Sequence, residues 1–226
     1  MILTEKKLRN IIKKTILEAM DDSFSYDELS SLRYFTERVN YCKMHLGPSI
    51  GNGSSRIVFQ VDDEKCLKLA RNPKGIAQNE AEFDWYAQNY GILPHIYESA
   101  DDKSWILVEY VVPAKAKDIK MCLGVDFNTF QRFVDTAYCY YSGEIDCYNQ
   151  LPDDEFSEMC ENNKWFESLY NYMADYQLPS GDLKRLANLG MVLRDGQPQI
   201  VILDSGLTQQ IYDEYYDKFP RNPINL

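Results

Sequence analysis

The chain has six cysteines, at 42, 66, 122, 139, 147 and 160, and no two of them form a CxxC pair. It has only two histidines, His45 and His95, far apart in sequence. Neither a zinc site nor a disulfide framework is indicated, and scattered thiols fit a reducing compartment. No apolar run approaches the ~20 residues that span a bilayer. The first twenty residues lack the apolar centre and small-residue cleavage site of a signal peptide, so the expectation is a protein kept in cytoplasm. Basic residues are outnumbered, 24 Lys and Arg against 35 Asp and Glu, giving a net charge of −11. An acidic body of this kind disfavours broad binding to nucleic acid or to an anionic membrane. Internal repeats and low-complexity tracts are also missing.

What remains is a composition suited to a packed core. The 226 residues are 45% hydrophobic and 26% charged, with 17 Tyr, 10 Phe and 3 Trp. That length suits one domain or two closely packed lobes. Residues 3–20 read as an amphipathic helix with Leu8, Ile11, Ile12 and Ile16 on one face. This segment holds five basic and two acidic residues, a net +3 against a −14 remainder. It either packs on the body or docks on a partner. Residues 26–45 read as a second helix, with Leu29, Leu32, Phe35, Val39 and Cys42 at steps of three and four.

A turn-rich stretch, IGNGSS, then introduces two strands, RIVFQV and KCLKLA, around Asp62-Asp63-Glu64. A first strand is expected just before Gly51. Residues 76–89 read as a helix closed by Asn89-Tyr90-Gly91. The runs LPHIYES and SWILVEYVV read as strands. Helices are expected over 126–142 and 155–176, a loop over LPSGDLKRLANLG, a hairpin around Asp195-Gly196, and a short helix over 208–218.

Four elements could carry chemistry. Gly51, Gly53, Ser54 and Ser55 form a turn whose backbone N–H groups can cover phosphates. Lys68 is flanked by apolar residues on a strand, where burial would require an anionic partner. Glu80 and Glu82 lie on the following helix, and either could pair with Lys68. Asp182 and Asn188 share a loop, and Asp204 follows a buried strand at a tight turn, a position suited to a metal–phosphate ligand. Each has an ordinary reading as well: a hairpin turn, a solvent-facing Lys, an exposed helix Glu, a turn Asp.

The ordered set is rarer than its parts. It resembles the protein-kinase-like superfamily, in particular its aminoglycoside-phosphotransferase branch, over roughly residues 46–210 and most weakly over 115–180. The wording GSSRIVF, LKLARNPKGIAQNEAE and DSGLT is also similar to an uncharacterised kinase-like family of tailed phages. The resemblance implies an α+β fold: a small antiparallel-sheet N-lobe with one main helix over 46–112, and a reduced helical C-lobe over 113–226. These would follow the N-terminal helix (1–20) and a helical linker (21–45). It implies ATP and Mg²⁺ as cofactors. Gly51, Gly53, Ser54 and Ser55 would cover the phosphates, Lys68 would hold the α- and β-phosphates, and Glu82 would orient Lys68. Glu82 is preferred to Glu80 because its spacing to Pro94 better suits the phosphotransferase branch. Backbone near Glu109 and Val111 would meet adenine, with Val108 guarding the pocket. Asp182 would be the catalytic base, and Asn188 and Asp204 would hold the metal.

Several departures from the family pattern stand beside these matches. Ser180-Gly181 replaces the His-containing pair before Asp182, and the Asp-to-Asn step is six residues rather than five. Ser205 stands where the metal-binding triplet usually has Phe. No Ala-Pro-Glu segment follows. A conventional protein kinase is therefore disfavoured. The expected activities are an ATP-dependent phosphotransferase of unknown acceptor, or a catalytically inactive, virion-associated pseudokinase that acts as a structural or interaction protein. The expected setting is the host cytoplasm or the virion. The expected partners are a nucleotide and, through the N-terminal helix, another phage protein.

Overall fold

The structure is a computed structural model and describes residues 24–143, 148–206 and 208–215. The expected basic helix over 3–20 lies outside them. The described residues divide into two compact units, those within 1–79 and 96–110 and those within 80–95 and 111–226. The class is α+β with antiparallel sheets, as expected.

The first unit is built on a five-stranded antiparallel sheet. Its strands are β1 (Gly51–Asn52), β2 (Arg56–Gln60), β3 (Lys65–Ala70), β4 (Ile96–Ser99) and β5 (Trp105–Glu109), in the order β1-β2-β3-β5-β4. Two strands, β2 and β3, are the RIVFQV and KCLKLA runs. The first strand begins at Gly51 itself rather than before it, and only Gly53-Ser54-Ser55 remain to turn the chain.

Residues 26–45 form two helices rather than one. They are α1 (Tyr26–Ser31), capped by the Ser25 side chain accepting the Glu28 N–H, and α2 (Phe35–Leu46). The break falls at Leu32, whose extended backbone ends α1. This segment is not a free-standing linker. Leu29 and Cys42 are fully buried with Phe59, Leu67, Leu69 and Leu107 in one core. The Trp105 indole donates to the Ser30 hydroxyl at 3.0 Å and ties α1 to the sheet. Because strand side chains alternate, Leu67 and Leu69 face these helices while Cys66 and Lys68 take the other face.

Helix α3 runs Pro73–Glu82 and ends sooner than the expected 76–89. Asp84 then caps a separate short helix, α4 (Trp85–Gln88), by accepting the Tyr86 N–H at 2.9 Å. A side-chain oxygen that satisfies an orphan N–H starts a new helix.

The second unit holds β6 (Val112–Pro113), β7 (Leu189–Arg194) and β8 (Gln197–Ile202) as a three-stranded antiparallel sheet. The β7–β8 hairpin turns at Asp195-Gly196, and both residues have positive φ, 51° and 75°. A two-residue turn with that handedness matches strand twist. Gly190 is required where β7 pairs with β6, because a Cβ there would lie 2.1 Å from Val111 Cγ1.

The unit's helices are α5 (Ala116–Leu123), α6 (Phe127–Ser142), α7 (Asp153–Asn162), α8 (Lys164–Tyr176), α9 (Ser180–Leu183) and α10 (Gln209–Tyr215). The expected helix over 155–176 is two, because Asn163 leaves the helical region and caps α8. Phe133 lies 4.8 Å from Phe156 and 4.6 Å from Phe166, ring to ring, at the centre of the core. Cys42, Cys66, Cys122 and Cys160 are free thiols, whereas Cys139 is disulfide-bonded, a departure from the expectation of thiols alone. No helix among the described residues is long and apolar enough to cross a membrane.

Candidate functional site

In the first unit Lys68 sits at the middle of β3, opposite Val58 on β2 and Ile106 on β5. It is only 9% exposed. Cross-strand partners share a face, so Lys68 lies among Val58, Ile106 and the neighbouring pair Cys66 and Val108. This is the sheet face turned away from α1 and α2. The solvent-facing alternative for Lys68 is thereby removed. Val108 is 2% exposed and shares that face. Glu109 ends β5 opposite Lys65, and its carbonyl accepts the Cys66 thiol at 3.8 Å.

The glycine-serine turn is held by the segment that follows β3. The Arg71 guanidinium donates to the Asn52 side chain at 2.7 Å and to the Gly53 carbonyl at 2.9 Å. The Asn72 amide donates to the Ser54 carbonyl at 3.2 Å, and the Arg71 N–H to the Ser55 carbonyl at 2.8 Å. The Ser55 hydroxyl donates to Gln78 at 2.5 Å. These bonds occupy the carbonyl side of the turn. Lys74 donates to the Ser54 hydroxyl at 3.1 Å and brings a second cation to the turn. Gly75 makes the close approach possible, since a Cβ there would lie 2.2 Å from the Ser55 carbonyl oxygen. The turn is thus braced by the segment that follows β3.

Glu80 and Glu82 occupy the last turn of α3, which falls to the second unit. Glu80 is exposed and Glu82 is 4% exposed. A buried carboxylate is costly unless compensated, so Glu82 is the one of the two that carries a structural commitment. Val111 packs with Val192, Val201 and Leu203 in a small apolar cluster.

Asp182, Asn188 and Asp204 are linked within the second unit. Asp182 lies on the short helix α9, and Asn188 ends a single 3₁₀ turn, Leu186–Asn188. The expected loop is therefore two short helical turns. The Asn188 side-chain amide donates to the Asp182 carbonyl at 2.9 Å. The Asn188 carbonyl accepts the Leu203 N–H at 2.8 Å. Asp204 follows immediately, after β8 has ended. Asn188 thus ties the Asp182 turn to the segment that presents Asp204. Ser205, next in line, is 4% exposed, and its carbonyl accepts the Tyr172 hydroxyl at 3.4 Å. Burial pushes the Tyr172 phenol well above its ordinary pKa, so it remains a donor.

Two basic residues beside Asp182 were not singled out from sequence. Arg185 places its guanidinium 3.2 Å from the Asp182 carboxylate. Lys184 pairs with Asp135 of α6 at 2.5 Å. The run Lys184-Arg185 directly after Asp-Leu was the available signal. Among the described residues no group of three or more His, Cys, Asp or Glu side chains is placed to hold a metal ion.

No family model matches the chain, and no curated protein matches it. Among solved structures it is similar to a choline/ethanolamine kinase family protein from Mesorhizobium loti, at 16% identity and a TM-score of 0.37. The match covers 76% of this chain and 65% of that one, less than two thirds of the neighbour's length.

Proposed function

We propose that the chain is a kinase-like phosphotransferase that binds ATP and Mg²⁺ and passes the terminal phosphoryl group to a hydroxyl acceptor. The observation that carries this is the Asn188 junction, which joins the Asp182 turn and the Asp204 segment through two hydrogen bonds of 2.9 and 2.8 Å. Asn188 Nδ2 is spent on the Asp182 carbonyl, which directs Oδ1 elsewhere as an acceptor. That oxygen and the Asp204 carboxylate are the hard ligands Mg²⁺ prefers. Bound there, the ion would neutralise charge on the nucleotide phosphates. In this reading Asp182 accepts the proton as the acceptor oxygen bonds to phosphorus, and ADP leaves. Lys68 takes the α- and β-phosphates, the Gly51–Ser55 turn covers them, and Glu82 is the carboxylate counterpart of Lys68. Backbone near Glu109 and Val111 meets adenine.

One observation favours the pseudokinase reading. The Asp182 carboxylate is already engaged by Arg185. An exposed i,i+3 pair of this kind is worth about 0–1 kcal/mol, so a substrate hydroxyl can displace it, and the pair alone does not silence the site. The test is ATP turnover with a panel of small hydroxyl acceptors. Asp204→Ala is expected to abolish Mg²⁺-dependent turnover, while Asp182→Ala spares nucleotide binding and lowers transfer by 10²-fold or more, on the order of a lost general base. Unchanged transfer in both variants defeats the assignment.

A further inference from the structure

A further feature of the second unit is independent of phosphoryl transfer. A cavity of about 390 Å³ lies between residues 89–92, the end of α5, the start of α8 and strand β8. Its volume is in the usual range for small-molecule sites. None of Asp182, Asn188 and Asp204 lines it.

The floor is apolar, made by the buried side chains of Ile92, Leu123 and Ile200. Two aromatic rings, Tyr90 and Trp165, also line it. Trp165 is fixed in place, because its indole N–H donates to the Ile200 carbonyl at 2.8 Å. Among the described residues Lys164 is the sole charged side chain at the cavity, and it forms no ion pair. Lys164 opens α8, whose cap Asn163 accepts the Trp165 N–H at 3.0 Å. The positive end of the helix therefore adds to the ammonium. Ser168, one turn further along α8, brings a hydroxyl.

Strand β8 leaves a backbone donor at the same place. Its register on β7 pairs Ile202 with Leu189, Val201 with Gly190 and Ile200 with Met191. In an antiparallel ladder alternate residues turn both N–H and C=O outward. Two bonds show which residues these are: the Ile202 N–H donates to the Ile92 carbonyl at 2.9 Å, and the Ile200 carbonyl accepts the Trp165 indole. The Ile200 N–H thus also faces away from β7, on the edge that borders the cavity, and no acceptor among the described residues takes it. Ile200 is fully buried. A buried N–H without a partner costs free energy, and an acceptor oxygen entering from the cavity removes that cost.

We infer that this cavity binds a small organic anion with a flat apolar body, an aromatic monocarboxylate, whose carboxylate meets Lys164 and the Ile200 N–H and whose ring lies against Trp165 and Tyr90. An ionised carboxylate only accepts hydrogen bonds, which suits an ammonium, a hydroxyl and an unspent N–H. No carboxylate lines the cavity to repel it. Ring-on-ring packing adds to the burial of the apolar body. Inorganic phosphate would meet a single cation and would set a strongly hydrated group on an apolar floor.

The probe is sodium benzoate, followed by calorimetric titration into the full chain. Sodium chloride at matched ionic strength controls for screening. Benzamide serves as the neutral counterpart of the same shape, and sodium phosphate as the anion without an apolar body. Saturable binding of benzoate in the millimolar range is expected, with benzamide and phosphate each at least tenfold weaker. Lys164→Met should weaken benzoate about tenfold, the scale of one charge-assisted contact. Ser168→Phe, which fills the cavity, should abolish binding. Lys164 is exposed, so Lys164→Met decides the matter if Ser168→Phe fails to fold. No saturable binding beyond the sodium chloride control overturns the site. So does equal binding of benzamide or of phosphate, or unchanged affinity in Lys164→Met.

Discussion

Asn188 holds Asp182 by the backbone and not by the carboxylate: its side-chain amide donates to the Asp182 carbonyl oxygen at 2.9 Å. The same residue's carbonyl accepts the Leu203 N–H, so one side chain and one peptide group set the spacing between Asp182 and Asp204. Between Asp182 and Asn188 the chain runs through a short helix and a 3₁₀ turn.

Asn188→Asp separates the structural role from the ligand role. The new carboxylate retains an oxygen for a cation but faces the Asp182 carbonyl oxygen without a donor. A stability loss of about 1–3 kcal/mol is expected, the cost of an unmet acceptor and a lost hydrogen bond. Urea unfolding measures it. An unchanged midpoint would mean that the bond contributes nothing to the fold.

Gly75→Ala tests the braced turn. Helix propensity alone favours Ala by about 1 kcal/mol. The new Cβ, however, meets the Ser55 carbonyl oxygen at 2.2 Å, and a backbone atom cannot swing aside. Overpacking of that kind costs about 1–3 kcal/mol, so the net change should be destabilising. A variant more stable than the parent in urea would show that the turn gives way freely.

Lys68→Met examines the buried lysine. Removing one partner of a buried charge pair strands the other charge and costs about 3–5 kcal/mol, and the use of Lys68 against phosphates is lost outright. Expected are a melting temperature lowered by about 5 °C or more and at least a tenfold loss of nucleotide affinity. Full affinity in the variant would remove Lys68 from the site.

Cys42 reports on the sheet–helix core. Burial pushes its thiol from an ordinary 9.0 up to about 12. An acid whose folded pKa is raised releases its proton more readily when unfolded. Its stabilising contribution is whole below pH 9 and declines as the pH climbs towards 12. Unfolding midpoints between pH 8 and 11 should therefore fall more steeply for the parent than for Cys42→Ala. Equal slopes would show that Cys42 does not titrate with unfolding.

Local chemistry was the part most legible in the sequence. The runs RIVFQV and KCLKLA announced β2 and β3 by alternation, and Asp195-Gly196 announced a hairpin because few residues accept two positive φ angles in succession. The breaks at Asp84 and Asn163 were missed although both are N-cap residue types. Apolar periodicity runs through such a break, and a cap shows only when its acceptor is seen to bind. Helix α5 was missed for a related reason: its start is held by the Asp118 carboxylate accepting the Lys115 N–H at 2.8 Å, and Lys at the N-cap is not a capping signal. At the site, burial of Lys68 could be argued from its neighbours, but the bracing of the glycine turn could not. It depends on Arg71 and Asn72 reaching carbonyls eighteen residues back.

The most direct test of the central claim is a thermal-melting titration with a non-hydrolysable ATP analogue, with and without Mg²⁺, on the parent and on Asp204→Ala. A ligand at a hundredfold excess over its Kd stabilises the native state by about 2.7 kcal/mol, which for a chain of this size is about 5 °C or more. The predicted result is a shift of that size for the parent with Mg²⁺, a much smaller one without it, and no Mg²⁺-dependent increment in Asp204→Ala. A parent that does not shift, or an Asp204→Ala variant that shifts as the parent does, would contradict it.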